Sequence, residues 1–179
     1  MTTIEELFGN FSDASTEQLQ SMANESTIAD LTTGMSSVLT PDELNDLINS
    51  TILKFNNKLI KFNRGEDFVF NGRKLSIQRC LNNLIENSTK FANKIEITFQ
   101  KLKSNIFIFI EDDGPGIPIQ ERENVFKPFY KIDKSRSQKS SSVGLGLSIS
   151  TDIIRSHGGK IELSDSKFGG LKVLISLPF

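Results

Sequence analysis

Residues 111–118 read Glu-Asp-Asp-Gly-Pro-Gly-Ile-Pro and follow directly on the apolar run 106–110. A strand therefore ends in a tight turn that carries carboxylates. Asp112 can accept a hydrogen bond from an amino group, and Gly114 and Gly116 let backbone approach a ligand without a Cβ. That chemistry suits a nucleotide pocket. Upstream, Asn83, Asn87 and Lys90 recur at i, i+4, i+7, which puts them on one face of a helix. Amide oxygens are hard ligands suited to Mg2+, and a lysine beside them can neutralise phosphate. A solvated polar stripe is the plainer reading of the same three residues.

Downstream, Gly144-x-Gly146 stands at a helix start, where unpaired backbone N–H groups and the helix dipole attract anions. A simple tight turn would use the same glycines. No Gly-Lys-Ser/Thr follows, so this is no Walker loop, and no strand precedes it as in a Rossmann turn. Between the acidic turn and these glycines lie Lys127, Lys131, Lys134, Arg136 and Lys139, with a Ser-rich stretch over 135–142. A basic segment that ends at an anion-binding helix has the makings of a lid.

The elements that must position these groups are legible in part. Thr40-Pro41-Asp42-Glu43 combines an N-cap, a Pro at the first helical position and a Glu at the third, so a helix begins there. Leu44, Leu47, Ile48, Ile52 and Phe55 form its buried face. Leu59–Phe62 and Phe68–Phe70 read as a hairpin turning near residues 63–65. A second helix over about 74–91 buries Ile77, Leu81, Leu84, Ile85 and Ser88. Ile95, Ile97 and Phe99 alternate as a half-buried strand, and 106–110 reads as a fully buried one. A helix from about 145 to 157 ends at Gly158-Gly159. Strands over 160–164 and 171–177, turning through Gly169-Gly170, complete an α+β sandwich with an antiparallel-rich sheet.

Ahead of this domain, residues 1–39 are rich in Ser, Thr, Asn and acids. Ile4, Leu7, Phe8 and Phe11 follow a helical period behind a Thr3-x-x-Glu6 capping box, and Ser15-x-x-Gln18 could start a second helix. Ile28, Leu31, Met35 and Val38 suggest a third, weakened by Gly34. The expected division is thus 1–39, an acidic helical segment, and 40–179, the main domain.

Apolar and charged fractions of 37% and 24% are those of a globular protein and exclude wholesale disorder. The absence of a long apolar stretch and of an export signal predicts a cytoplasmic chain with no membrane segment. Cys80 is the only cysteine, which excludes an intrachain disulfide, and its place on an apolar helix face predicts inert packing. The net charge of −1 hides an asymmetry: residues 1–50 hold nine acids and no Lys or Arg, while the rest holds 21 basic against 13 acidic residues, a net +8. A basic body suits a polyanionic ligand, whereas the acidic leader suits neither nucleic acid nor anionic membrane.

Taken in order, Asn83 to Phe91, Asp112 to Pro118, Phe126-Lys127-Pro128-Phe129-Tyr130 and Gly144 to Ile149 resemble the N, G1, F and G2 boxes of the catalytic ATP-binding domain of bacterial sensor histidine kinases. The resemblance covers about 40–179 and includes the lid segment 131–136 and Ser156-His157-Gly158-Gly159. It implies a two-layer sandwich of the histidine-kinase and gyrase type. It also implies roles by position. Asp112 would bind the adenine amino group, with Gly114, Gly116 and Ile117 shaping the pocket and Phe91 lining it. Asn87 would hold Mg2+ with help from Asn83, and Lys90 would contact phosphate. Gly144, Leu145, Gly146 and Leu147 would receive the phosphate tail of ATP, and Arg136 could reach the γ-phosphate from the lid. The related gyrase-type ATPases carry a water-activating glutamate where this chain has Asn83, an amide that cannot act as a base. That favours holding ATP for transfer over hydrolysing it.

Two departures from the family pattern stand out. The second glycine box usually opens with a further glycine near 142, where this chain has Ser142-Val143, which predicts weaker lid closure or phosphate affinity. The family's phosphate-accepting histidine sits on a dimeric helical hairpin ahead of the ATPase domain, yet the only histidine here is His157, placed for a helix C-cap. Residues 16–37 faintly resemble the second helix of that hairpin and could support a homodimer; the first helix and its histidine would then lie on another polypeptide. The leading expectation is a kinase domain that phosphorylates a histidine-containing dimerisation domain supplied in trans, upstream of a response regulator. The alternatives are an ATP-binding regulatory module without kinase activity, acting through residues 1–39, and a Ser/Thr kinase of the anti-sigma-factor type.

Overall fold

The computed structural model describes residues 37–55, 59–63, 70–132 and 143–178. The helical patterns read over 4–35 lie outside the described residues, as do Arg136 and the Ser-rich part of the lid. Strand β1 (Ser37–Leu39) pairs antiparallel with β3 (Phe70–Gly72). Val38, which the periodicity assigns to a helix, is therefore in a strand. Helix α1 (Pro41–Ile52) starts where expected: the Thr40 hydroxyl accepts the Glu43 N–H at 3.3 Å, and the Glu43 carboxylate accepts the Thr40 N–H at 3.0 Å. This reciprocal box satisfies two donors that the first turn leaves open.

The hairpin expected from Leu59–Phe62 and Phe68–Phe70 does not form. Strand β2 (Leu59–Asn63) runs parallel to β4 (Lys94–Leu102), while β3 pairs with β1. Ile60 and Phe62 share the apolar alternation of β4, and Phe62 meets Phe99 edge-on at 5.5 Å. A parallel pair needs a crossover, and helix α2 (Lys74–Phe91) lies within that connection. Strand β5 (Asn105–Asp112), helix α3 (Gly146–Ser156), strand β6 (Lys160–Asp165) and strand β7 (Leu171–Pro178) complete a five-stranded sheet of order β2-β4-β5-β7-β6.

Ile77, Cys80, Leu81, Leu84 and Ile85 of α2 pack with Leu44, Leu47 and Ile48 of α1 and Ile154 of α3 over the inward residues of β4, β5 and β7. Truncating a fully buried Leu or Ile among them, such as Leu84 or Ile85, to Ala should cost roughly 2–5 kcal/mol. Strand β5 alternates instead of being buried on both faces: Ile106, Ile108 and Ile110 point into this core, and Phe107 and Phe109 lie half-buried on the outer face. There the two rings stack at 6.4 Å and Lys172 covers Phe109 at 4.9 Å, so the strand is apolar on both faces while only one of them is core.

Two close contacts set the helix layer. Cys80 and Ser150 are small enough for α2 and α3 to approach, with Ser150 Oγ donating to the Cys80 carbonyl at 3.5 Å. Burial pushes the Cys80 thiol up to about 12, in keeping with inert packing. His157 caps α3 as expected and also ties it to α2: its Nε2 accepts the Arg73 N–H at 3.0 Å, which leaves Nδ1 as the donor to the Ile153 carbonyl at 2.7 Å. Both nitrogens serve the fold.

Candidate functional site

Alternation along β5 aims its last residue, Asp112, inward beside Ile110, and the residue is 4% exposed. Its Oδ1 accepts the backbone N–H groups of Gly114 and Leu171, each at 3.0 Å. A carboxylate held by two amides is fixed in orientation. Its Oδ2 accepts no hydrogen bond among the described residues. The neighbouring Asp113 points the other way. Its exposed carboxylate accepts the N–H groups of Asn93 at 2.8 Å and Lys94 at 2.9 Å, and those bonds hold it below the usual carboxylate range. Asp113 therefore pins the α2–β4 turn to the start of the glycine turn.

The glycines answer to space as well as to dihedral angle. A Cβ on Gly114 would lie 3.1 Å from Asp112 Oδ1 and 3.3 Å from the Phe91 carbonyl, so this turn lies against the end of α2. Gly116 has φ 69°, and a Cβ there would meet the Gly170 carbonyl at 3.5 Å. Gly170 is the tightest of the group. A Cβ on it would come within 2.5 Å of the Asp112 carbonyl, Asp112 Oδ1 and the Gly114 nitrogen, and its own φ is not left-handed. Gly170 is a glycine because nothing larger fits against the aspartate.

The asparagine face and the second glycine pair do converge. A Cβ on Gly146 would sit 3.5 Å from Asn87 Nδ2 and 3.8 Å from Asn83 Cβ, and the Gly146 carbonyl accepts a long bond from Asn83 Nδ2 at 3.5 Å. The Asn87 amide has no hydrogen-bond partner among the described residues. Leu145 is the N-cap of α3 and supplies no side-chain cap, so the first-turn N–H groups are left uncapped by the chain. Gly144 has φ 82° and packs against Phe129: its carbonyl accepts the Phe129 N–H at 3.0 Å, and a Cβ would meet Phe129 at 3.0 Å. Phe129 itself has φ 64°, a left-handed conformation costly for an aromatic residue. Leu147 packs partly against the core.

Not every expected residue joins this cluster. Lys90 and Phe91 lie exposed at the C-terminal end of α2, Phe91 at 63%, and the Phe91 carbonyl lies against Gly114. Ile117 is half-buried, with its carbonyl turned to Arg122 at 3.0 Å. Sequence reasoning missed Gly170, Asp113 and Arg122. Strict alternation past the end of β5 would have separated Asp112 from Asp113; the fit of Gly170 has no local signature.

Helices packed on a mixed five-stranded sheet, with the aspartate turn against the end of α2 and the glycine-led α3 against Asn83 and Asn87 of the same helix, define the class: an α+β sandwich. A family model described as "Histidine kinase-, DNA gyrase B-, and HSP90-like ATPase" matches residues 72–179, and the chain belongs to that family. It is 38% identical over 108 residues to the sensor histidine kinase CpxA of Escherichia coli K12, covering 60% of this chain and 24% of CpxA. It is 33% identical over 107 residues to the sensor histidine kinase GtrS of Pseudomonas aeruginosa, covering 60% and 22%. The chain thus matches about a quarter of the length of these relatives. Among solved structures, the catalytic domain of the histidine kinase ThkA superposes with a TM-score of 0.68 at 26% identity, over 80% of this chain and 95% of that one. The mycobacterial sensor histidine kinase MprB superposes with a TM-score of 0.67 at 20% identity, over 80% and 97%. The domain is of the sensor-histidine-kinase catalytic type.

Proposed function

We propose that this domain binds Mg-ATP between α2, the 112–118 turn and the start of α3, and transfers the γ-phosphate to a histidine supplied by another chain in two-component signalling. The observation that carries the reading is the placement of Gly146 against Asn83 and Asn87, with buried Asp112 behind Gly114. An anion-receptive helix start thereby faces hard amide donors, and a base-recognising carboxylate lies beside the end of the same α2. The names of the relatives, sensor histidine kinases, support the choice of acceptor.

Asp112 Oδ2 accepts the adenine amino group while its Oδ1 stays on the Gly114 and Leu171 amides. Gly114 and Gly116 keep the wall free of side chain, and exposed Phe91 lines the base from the end of α2. The uncapped N–H groups at Leu145, Gly146 and Leu147 receive phosphate oxygens. Lys90, and Arg136 from the lid, are the cations for the phosphate tail. The donor set fits Mg2+: Asn87 has no other partner among the described residues, and Asn83 keeps an amide oxygen beside it. Bound there, Mg2+ would neutralise charge on the phosphate oxygens. Asn83 cannot take a proton from water, so the ATP is kept for a nucleophile from outside.

Incubation with γ-labelled ATP, Mg2+ and a separately produced histidine-bearing helical hairpin tests the transfer. Acid-labile label on the hairpin is expected. Acid-stable label on serine, or no transfer despite saturating ATP, would overturn the kinase assignment.

A further inference from the structure

Two walls supply the bonds that orient Asp112. Gly114 belongs to the turn 114–118, and Leu171 begins β7 just after the hairpin 166–170; each gives one N–H to Asp112 Oδ1 at 3.0 Å. The walls touch where Gly116 meets Gly170, with a hypothetical Cβ on Gly116 3.5 Å from the Gly170 carbonyl. The direction of the carboxylate therefore depends on the separation of the walls. If they part, one N–H is lost and the carboxylate swings toward the other.

One side chain bridges these walls from outside. Arg122 Nε donates to the Ile117 carbonyl, the far end of the turn, at 3.0 Å, and its Nη2 donates to Asp165 at the root of the hairpin. The Arg122 side chain is 17% exposed, whereas that of Asp165 is 80% exposed. The hairpin itself is closed by the Ser166 N–H on the Gly170 carbonyl at 2.9 Å and the Gly169 N–H on the Ser166 carbonyl at 3.0 Å. A pull on Asp165 is thus passed through a short rigid loop to Gly170 and Leu171. The planar guanidinium fork suits this task, because its donors lie on separate nitrogens in fixed directions and hold two groups at a set separation; a lysine ammonium carries its three donors on one atom and cannot fix that separation. An ion pair with so exposed a carboxylate adds little stability, so its effect belongs to geometry.

We infer that Arg122 is a positioning residue: it clamps the 114–118 turn to the β6–β7 hairpin and so holds Asp112 in the direction that recognises the amino group of adenine. This rests on the ATP reading above and extends it to selectivity. Arg122 touches no nucleotide. It acts through Ile117, Asp165 and the walls they belong to.

The test compares Mg-ATP with Mg-ITP, whose base carries a carbonyl in place of the amino group, by calorimetric titration of the chain and of Arg122→Gln, Arg122→Lys and Asp165→Asn. The wild-type chain prefers ATP. In Arg122→Gln the ATP-to-ITP preference falls by about fivefold, the order expected for weakening one hydrogen bond, with ITP affinity nearly unchanged. Arg122→Lys does not restore the preference. Asp165→Asn, a surface change that leaves folding intact, shifts it in the same direction, and combining it with Arg122→Gln adds nothing further. Equal losses for ATP and ITP would show a merely structural Arg122, and unchanged preference in all variants would show no role; either result overturns the inference while the ATP reading stands. A wild-type chain that binds neither nucleotide overturns both.

Discussion

Replacing Gly170 by Ala tests the aspartate site at its tightest point. The added Cβ would lie 2.5 Å from the Asp112 carbonyl, from Asp112 Oδ1 and from the Gly114 nitrogen. Two of these are backbone atoms and the third is a carboxylate oxygen already bonded twice, so no flexible side-chain end can yield. Reaching ordinary van der Waals contact requires the hairpin to back away by nearly an ångström. That displacement breaks the 3.0 Å bond from the Leu171 N–H to Asp112. Loss of one hydrogen bond to a charged acceptor costs about 1.5–3 kcal/mol, and overpacking adds roughly 1–3 kcal/mol. Gly170→Ala should therefore lose about 3–5 kcal/mol of stability and bind ATP at least about tenfold more weakly. Gly169→Ala is the control. Gly169 has φ 89° with nothing within 4 Å of a Cβ, so alanine there costs roughly 1–2 kcal/mol for the left-handed backbone and leaves ATP binding unchanged. Urea unfolding followed by fluorescence and a nucleotide titration read both quantities. A Gly170→Ala chain with the unfolding midpoint and ATP affinity of the wild type would refute the reasoning.

Three further expectations follow from the same contacts. Asn87→Ala should weaken ATP binding in the presence of Mg2+ by about tenfold and much less in EDTA; equal weakening in both would remove the metal from the account. Cys80, raised from 9.0 to about 12 by burial, favours the folded state below pH 9 and loses that contribution as pH rises toward 12; unfolding curves of Cys80→Ala should fall less steeply than wild type above pH 9, and the native thiol should resist alkylation. Asp113, lowered by the Asn93 and Lys94 amides, contributes above its ordinary value and loses that contribution as pH falls through its lowered one; Asp113→Asn should be less stable at neutral pH and show a flatter acid limb below about pH 4.

What could be read from the sequence was local. The Thr40 box, the extent of α2 and the cap at His157 each depend on neighbours within a turn of helix, and each stands in the structure as expected. The pairing of β2 with β4 crosses an intervening helix, whereas the turn signal at residues 63–65 between two apolar runs points to a local hairpin. Strand β5 hid its alternation because Phe107 and Phe109 make its outer face apolar too. Of the candidate site, the position of Asp112 at a strand end and of Gly146 at a helix start was legible from residue type and spacing. Gly170 and Arg122 were not, since their roles arise where the 112–118 turn meets a hairpin about fifty residues further on. Composition and period carry no trace of such a contact.

The central claim is that one edge of the sandwich holds a nucleotide, base against Asp112 and phosphates against the start of α3. A Mg-ATP titration of the wild-type chain beside Asp112→Asn tests it most directly. Saturable binding by the wild type and a loss of about tenfold or more in Asp112→Asn, as expected for one buried charged acceptor, is the predicted result. Equal affinity in the two proteins, or no binding by the wild type at millimolar ATP, would contradict it.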